Sequence, residues 1–118
     1  MKITQQSLAP GDTIALIWQQ LGVQAQAVSD ADAALAECTL VVSCTSAQAV
    51  ALRAPPRQDA FVAAVGAFTP RMVEWAPEVC RAIAAHGRVV VDTRDADHEA
   101  GDLIQAGLPV ADFPTLAD

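Results

Sequence analysis

Ala60-Phe61-Val62-Ala63-Ala64-Val65-Gly66-Ala67-Phe68-Thr69-Pro70-Arg71-Met72-Val73-Glu74 is the stretch on which the reading of the fold depends. Its first half is an apolar run ending at Gly66, the pattern of a strand buried on both faces. Its second half turns at Thr69-Pro70 and heads toward a helix. In an open α/β sheet, ligands bind where a strand ends and the chain turns away. The segment is therefore expected to give a strand over residues 61–65 and one wall of a nucleotide cofactor site.

Downstream, Pro77-Glu78 reads as the first turn of a helix, with Pro tolerated at its start and Glu favourable at its positive end. Val79, Cys80, Ile83 and Ala84 would line its inner face, and Gly87 would end it. Residues 88–92 read as another strand. Residues 96–106 read as a helix, with Gly101 costing ~1 kcal/mol relative to Ala. Residues 107–118 carry two prolines and no clear period.

Upstream, Thr39-Leu40-Val41-Val42-Ser43-Cys44 is a β-branched run typical of a strand with both faces covered. A helical turn is expected over residues 47–52, then a surface loop holding Pro55-Pro56. Ser29-Asp30 signals a cap for a short helix through Ala36, and residues 23–28 alternate as a half-covered strand does. Ile14, Ile17, Trp18 and Leu21 form one apolar helical stripe, capped by Asp12 or Thr13 and closed by Gly22. Lys2-Ile3-Thr4 reads as a short strand and Pro10-Gly11 as a turn. Strands alternating with helices predict one α/β domain, a doubly wound parallel sheet built by right-handed crossovers.

At 118 residues the chain is large enough for a real core. Apolar residues make up 53% but aromatics only 4%, which suits close helix-on-sheet packing. A formal charge of −7 argues against DNA or RNA as a partner. It does not argue against a dinucleotide, which backbone amides hold. Cys38, Cys44 and Cys80 have no metal-ligand spacing; two of them sit in apolar surroundings, so buried free thiols of a reducing compartment are the plain reading. No apolar stretch approaches the ~20 residues of a membrane helix, and Met1 to Gln6 lacks a signal peptide's apolar core. A soluble cytoplasmic protein without a metal site is expected.

The glycines stand at 11, 22, 66, 87, 101 and 107. No two are spaced for the Gly-x-Gly-x-x-Gly loop of a Rossmann half. Lys2 is the only lysine, so no Gly-x-x-x-x-Gly-Lys loop exists either. The expectation is an α/β nucleotide domain without its phosphate cradle.

Glu37-Cys38-Thr39-Leu40-Val41-Val42-Ser43-Cys44-Thr45-Ser46 resembles the "A-D-(I/V)-V-V-T-A-T-S" wording of the ornithine cyclodeaminase/μ-crystallin family. Ala63-Ala64-Val65-Gly66-Ala67, with Arg71 and Glu74 after it, resembles that family's "N-A-V-G-A…R-x-E". Val89-Val90-Val91-Asp92 and Glu99-Ala100-Gly101-Asp102-Leu103 resemble its next strand and its "E-A-G-D-L" helix. The resemblance covers about residues 30–118 and fits residues 1–22 poorly. It implies a Rossmann-like NAD(P)-binding domain spanning 1–118 in truncated form, with the family's first strand and glycine loop falling before Met1.

It further implies that Ser43, Cys44, Thr45 and Ser46 contact the cofactor after one strand, and Val65, Gly66 and Ala67 after the next. Cyclodeaminases place their proposed base, an Asp, two residues after the glycine of "V-G-x-D". Phe68 stands there and cannot take a proton, which disfavours a cyclodeaminase and leaves Phe68 as a substrate-proximal residue. The wording Val-Gly-Ala-Phe-Thr-Pro-Arg-Met is more similar to the bacterial Δ1-pyrroline-2-carboxylate/Δ1-piperideine-2-carboxylate reductases. Those use NAD(P)H to reduce a cyclic ketimine acid to L-proline or L-pipecolate. On that resemblance no catalytic residue lies in this chain. The groups that hold the substrate carboxylate belong to a second domain, which also forms the dimer.

Plainer readings stand beside these. Gly66 would be a strand-end turn, Thr45-Ser46 a helix cap, and Phe68 core packing. His86 would sit at a helix C-terminus and His98 in a solvated charged turn. Asp92 would cap the next helix, and Arg71 and Glu74 would pair on one helical turn for ~0.2–0.5 kcal/mol. A catalytically empty α/β interaction module remains the alternative function, and an open sheet edge would allow a homodimer.

Overall fold

The computed structural model describes residues 2–4, 18–46 and 48–118. The expectations for Pro10-Gly11, Asp12, Thr13, Ile14, Ile17 and Ala47 lie outside the described residues. Residues 18–20 are helical and close on Gly22, whose φ of 78° is the left-handed value that glycine adopts without strain. The amides of Gly22 and Val23 return to the carbonyls of Gln19 and Trp18.

β1 (Lys2–Thr4) pairs in parallel with β2 (Gln26–Val28), Ile3 opposite Ala27. Asp30 then caps α1 (Ala31–Leu35), its side chain accepting from the Ala33 amide at 3.0 Å. Asp32 in the first turn of α1 accepts the amides of Arg53 and Ala54 at 2.8 and 2.9 Å, pinning the loop that sequence placed there. β3 (Leu40–Ser43) and β4 (Phe61–Ala64) form the second parallel pair, in register from Leu40 opposite Phe61 to Ser43 opposite Ala64. Among the described residues the strands thus make two parallel pairs, where one continuous doubly wound sheet was expected.

α2 (Pro77–His86) starts and stops where Pro77 and Gly87 predicted, and it buries Val79 and Cys80 with Ile83 and Ala84 half-buried. It packs with Leu35, Leu52, Trp75, Ala76 and Ala106 into the main core, against which Val41 and Val62 lie. A second cluster joins Val91, Ala96 and Val110. The other face of the β3–β4 pair is bare. Leu40, Val42 and Phe61 are each about two-thirds exposed, so the expectation of strands covered on both faces fails for this face.

Three further expectations are corrected. Residues 48–52 are not helical, because the amides of Ala51 and Leu52 go to the Glu74 carbonyl and the Ala76 amide returns to Leu52. That makes Leu52 a single parallel rung against Trp75. Residues 88–92 are not a strand: only Val91 pairs, with Thr115, and Pro114 beside it has no N–H to extend the ladder. The expected helix over 96–106 is two pieces, α3 (Ala96–Glu99) and α4 (Gly101–Gln105), broken at Ala100 with ψ 79°. Gly101 causes the break: its amide donates to the Ala67 carbonyl, and a Cβ there would overlap the carbonyl oxygens of Met72 and Thr69. A 3₁₀ turn at Val110–Asp112 precedes Thr115.

Candidate functional site

β3 and β4 run side by side, so their carboxyl ends deliver residues 44–46 and 65–68 to one place. The ladder continues one rung beyond β4, the Val65 amide donating to the Ser43 carbonyl at 2.8 Å. Cys44 and Ser46 are exposed, Thr45 and Ala67 half-buried, Val65 and Phe68 exposed apolar groups, and Gly66 buried. The residues singled out in sequence are therefore brought together. Phe68, two-thirds exposed, is not core packing.

Sequence reading missed what joins these loops. The Glu74 side chain is fully buried, the most enclosed large side chain of the described residues. Its Oε1 accepts the Thr45 amide at 2.5 Å, and its Oε2 accepts the Gly66 amide at 3.0 Å and the Ser43 hydroxyl at 2.9 Å. The Trp75 indole N–H donates to the same Ser43 Oγ at 3.0 Å, so the serine proton is directed at the carboxylate. Gly66 fits against this group only as glycine: a Cβ there would overlap the Glu74 carboxylate and the Thr45 carbonyl oxygen. Arg71 is exposed, and the expected Arg71–Glu74 pair is replaced by these contacts.

Asp102 completes the cluster from behind. Its Oδ1 accepts the backbone amides of Glu74 and Trp75 at 2.7 and 3.0 Å, and its Oδ2 is buried without a hydrogen-bond partner. Burial pushes the Asp102 carboxyl up. The amides of Trp75 and Glu74 pull it back, and the Glu74 carboxylate adds to the upward push. Burial, helped by Asp102, pushes the Cys80 thiol up to about 12, which leaves it inert at neutral pH. Cys80 is thus the buried thiol expected, whereas Cys44 is exposed at the bare end of β3 and Cys38 half-buried. The signal that could have found the cluster was the pair of acids in the quoted motifs, Glu74 after Arg71 and Asp102 in Glu99-Ala100-Gly101-Asp102-Leu103, which meet here.

The remaining candidates stay apart. His86 is exposed in the last turn of α2, and His98 is exposed with Nε2 3.3 Å from Asp97. Asp92 caps no helix; its Oδ1 accepts the amide of Thr93. No helix among the described residues is long and apolar enough to cross a membrane.

Fold and site together define a mixed α/β protein whose two central loops meet at the carboxyl ends of parallel strands and are tied by a buried acid. No family model matches the chain. It is similar to Delta(1)-pyrroline-2-carboxylate reductase 1 of Burkholderia multivorans and to Delta(1)-pyrroline-2-carboxylate reductase 2 of Burkholderia ambifaria. Each is 37% identical to it over 90 residues, 75% of this chain. The names of these relatives match the reductase branch read from the motifs. The chain spans 28% of the length of either.

Proposed function

We propose that this chain is the nicotinamide-side part of a Rossmann-like cofactor domain in an NAD(P)H-dependent reductase of cyclic ketimine acids. The observation that carries the proposal is the joining of two strand-end loops, 44–46 and 65–68, at the site-forming end of a parallel pair. The similarity to reductases named for Δ1-pyrroline-2-carboxylate supports it. The residues fit such a group: exposed Val65 and Phe68 offer apolar surface to a flat ring, and exposed Cys44 and Ser46 flank it with polar atoms. Thr45, Gly66 and Ala67 shape the floor, and Ser43 serves from behind through its buried hydroxyl.

When bound, a reduced nicotinamide supplies a hydride to C2 of the protonated cyclic imine of Δ1-pyrroline-2-carboxylate or Δ1-piperideine-2-carboxylate. Phe68 in the position of a cyclodeaminase carboxylate cannot take a proton, which counts against a cyclodeaminase reaction at that end of the site. The 118-residue chain assayed alone should bind NADH or NADPH weakly and show no turnover. Calorimetry giving a sub-micromolar affinity, or NADPH oxidation with Δ1-piperideine-2-carboxylate clearly above background, would contradict this.

A second reading, an α/β interaction module without catalysis, is favoured by the bare Leu40, Val42 and Phe61 face. It predicts no nucleotide binding at any concentration, and the same titration separates the two.

A further inference from the structure

We propose that Glu74 is the positioning residue of this site, a buried carboxyl clasp that sets the two loops in one register; this rests on the cofactor reading of those loops. Three donors converge on its two oxygens: the amides of Thr45 and Gly66 and the hydroxyl of Ser43. One amide comes from the loop after β3 and the other from the loop after β4, so neither loop moves without the other. Glu74 itself has no freedom. Asp102 accepts its amide, the amides of Ala51 and Leu52 donate to its carbonyl, and its side chain is sealed from solvent. Gly66 lets the carboxylate come within hydrogen-bond distance of the second loop, which a side chain would prevent.

Two accepting oxygens are what make the clasp two-sided. A carboxylate accepts on both oxygens, whereas an amide of the same shape accepts on one atom and donates from the other. Glu74→Gln therefore satisfies one loop only. With its NH₂ at the Oε1 position it faces the Thr45 N–H, and with its NH₂ at the Oε2 position it faces the Gly66 N–H. The side chain's volume and the surrounding core are unchanged, so register is lost without loss of packing. A ligand that touches both loops must then order them separately, a cost that the clasp removes in advance.

The test uses the full 118-residue chain, with NADH and NADPH as probes, and Val110→Ala in the second core cluster as a control for lost stability alone. Nucleotide affinity is read by calorimetry, loop order by amide hydrogen exchange, and stability by thermal melting. The expected result for Glu74→Gln is a roughly tenfold loss of affinity, the worth of about one hydrogen bond. One of the two amides, Thr45 or Gly66, should exchange faster while the other stays protected. Val110→Ala should melt earlier and keep its affinity. Unchanged affinity with both amides still protected in Glu74→Gln overturns the proposal. So does an affinity loss that Val110→Ala reproduces in proportion to its lost stability. If the wild-type chain binds neither nucleotide at millimolar concentration, the cofactor reading fails, and the exchange arm alone decides whether Glu74 couples the loops.

Discussion

Asp102 spends one oxygen on two backbone amides and leaves the other buried and unpartnered. Its carboxyl is held above the ordinary value, first by burial. The folded chain therefore binds this proton more tightly than the unfolded chain does. Its charged form costs stability at neutral pH, and the cost is relieved as pH falls through the folded value toward the ordinary carboxylate range. Asp102→Asn keeps the acceptor for both amides and removes the charge. Melting wild type and Asp102→Asn between pH 7 and pH 4 should show the wild type gaining relative to the variant on acidification. A difference that stays constant with pH would remove Asp102 from the account. Gly66 was legible in sequence as a strand-end glycine, but the contact inside the chain that requires a glycine there was not. The close approach is made by Glu74 and Thr45 within the chain.

At the scale of elements, signals that act within a few residues read well. Asp30 as a cap, Pro77 and Gly87 as the ends of α2, and Gly22 as a left-handed stop all follow from local backbone chemistry. Elements decided by a distant partner did not. The Val89-Val90-Val91 run has the composition of a strand, yet its neighbour carries Pro114 and only one rung forms. Residues 96–106 have the composition of a helix, yet Gly101 is pressed against the carbonyls of Thr69 and Met72 and the helix breaks there. Two effects compete in Gly101→Ala. Helix propensity favours Ala by ~1 kcal/mol in a helix interior, whereas forcing a methyl into backbone costs about 1–3 kcal/mol or more. Gly101 stands at the first position of α4, where the propensity gain is smallest, so sterics should win. Thermal melting should show Tm lowered by about 5 °C or more, and a raised Tm would show that the turn at residues 69–72 yields easily.

For the whole molecule, the candidate site was legible as a set of positions but not as a mechanism of assembly. The motif wording marked residues 43–46 and 65–67 because strand-end loops are short and local. Nothing local links Ser43 to Glu74, 31 residues away, or Glu74 to Asp102, 28 residues on. The pairing of two acids with two loops is a property of the fold.

The bare face of β3 and β4 should limit how concentrated a solution of this protein can be. Exposed Leu40, Val42 and Phe61 would favour contact between molecules, while a net charge of −7 opposes it. Salt weakens only the second effect, since the screening length shrinks from ~30 Å at 0.01 M to ~3 Å at 1 M. Solubility should therefore fall as sodium chloride is added. Val42→Thr with Phe61→Thr, which changes no charge, should flatten that dependence and leave Tm nearly unmoved, as light scattering and melting would show. The chain's charge is then a colloidal counterweight to one uncovered sheet face, and ionic strength decides which of the two prevails.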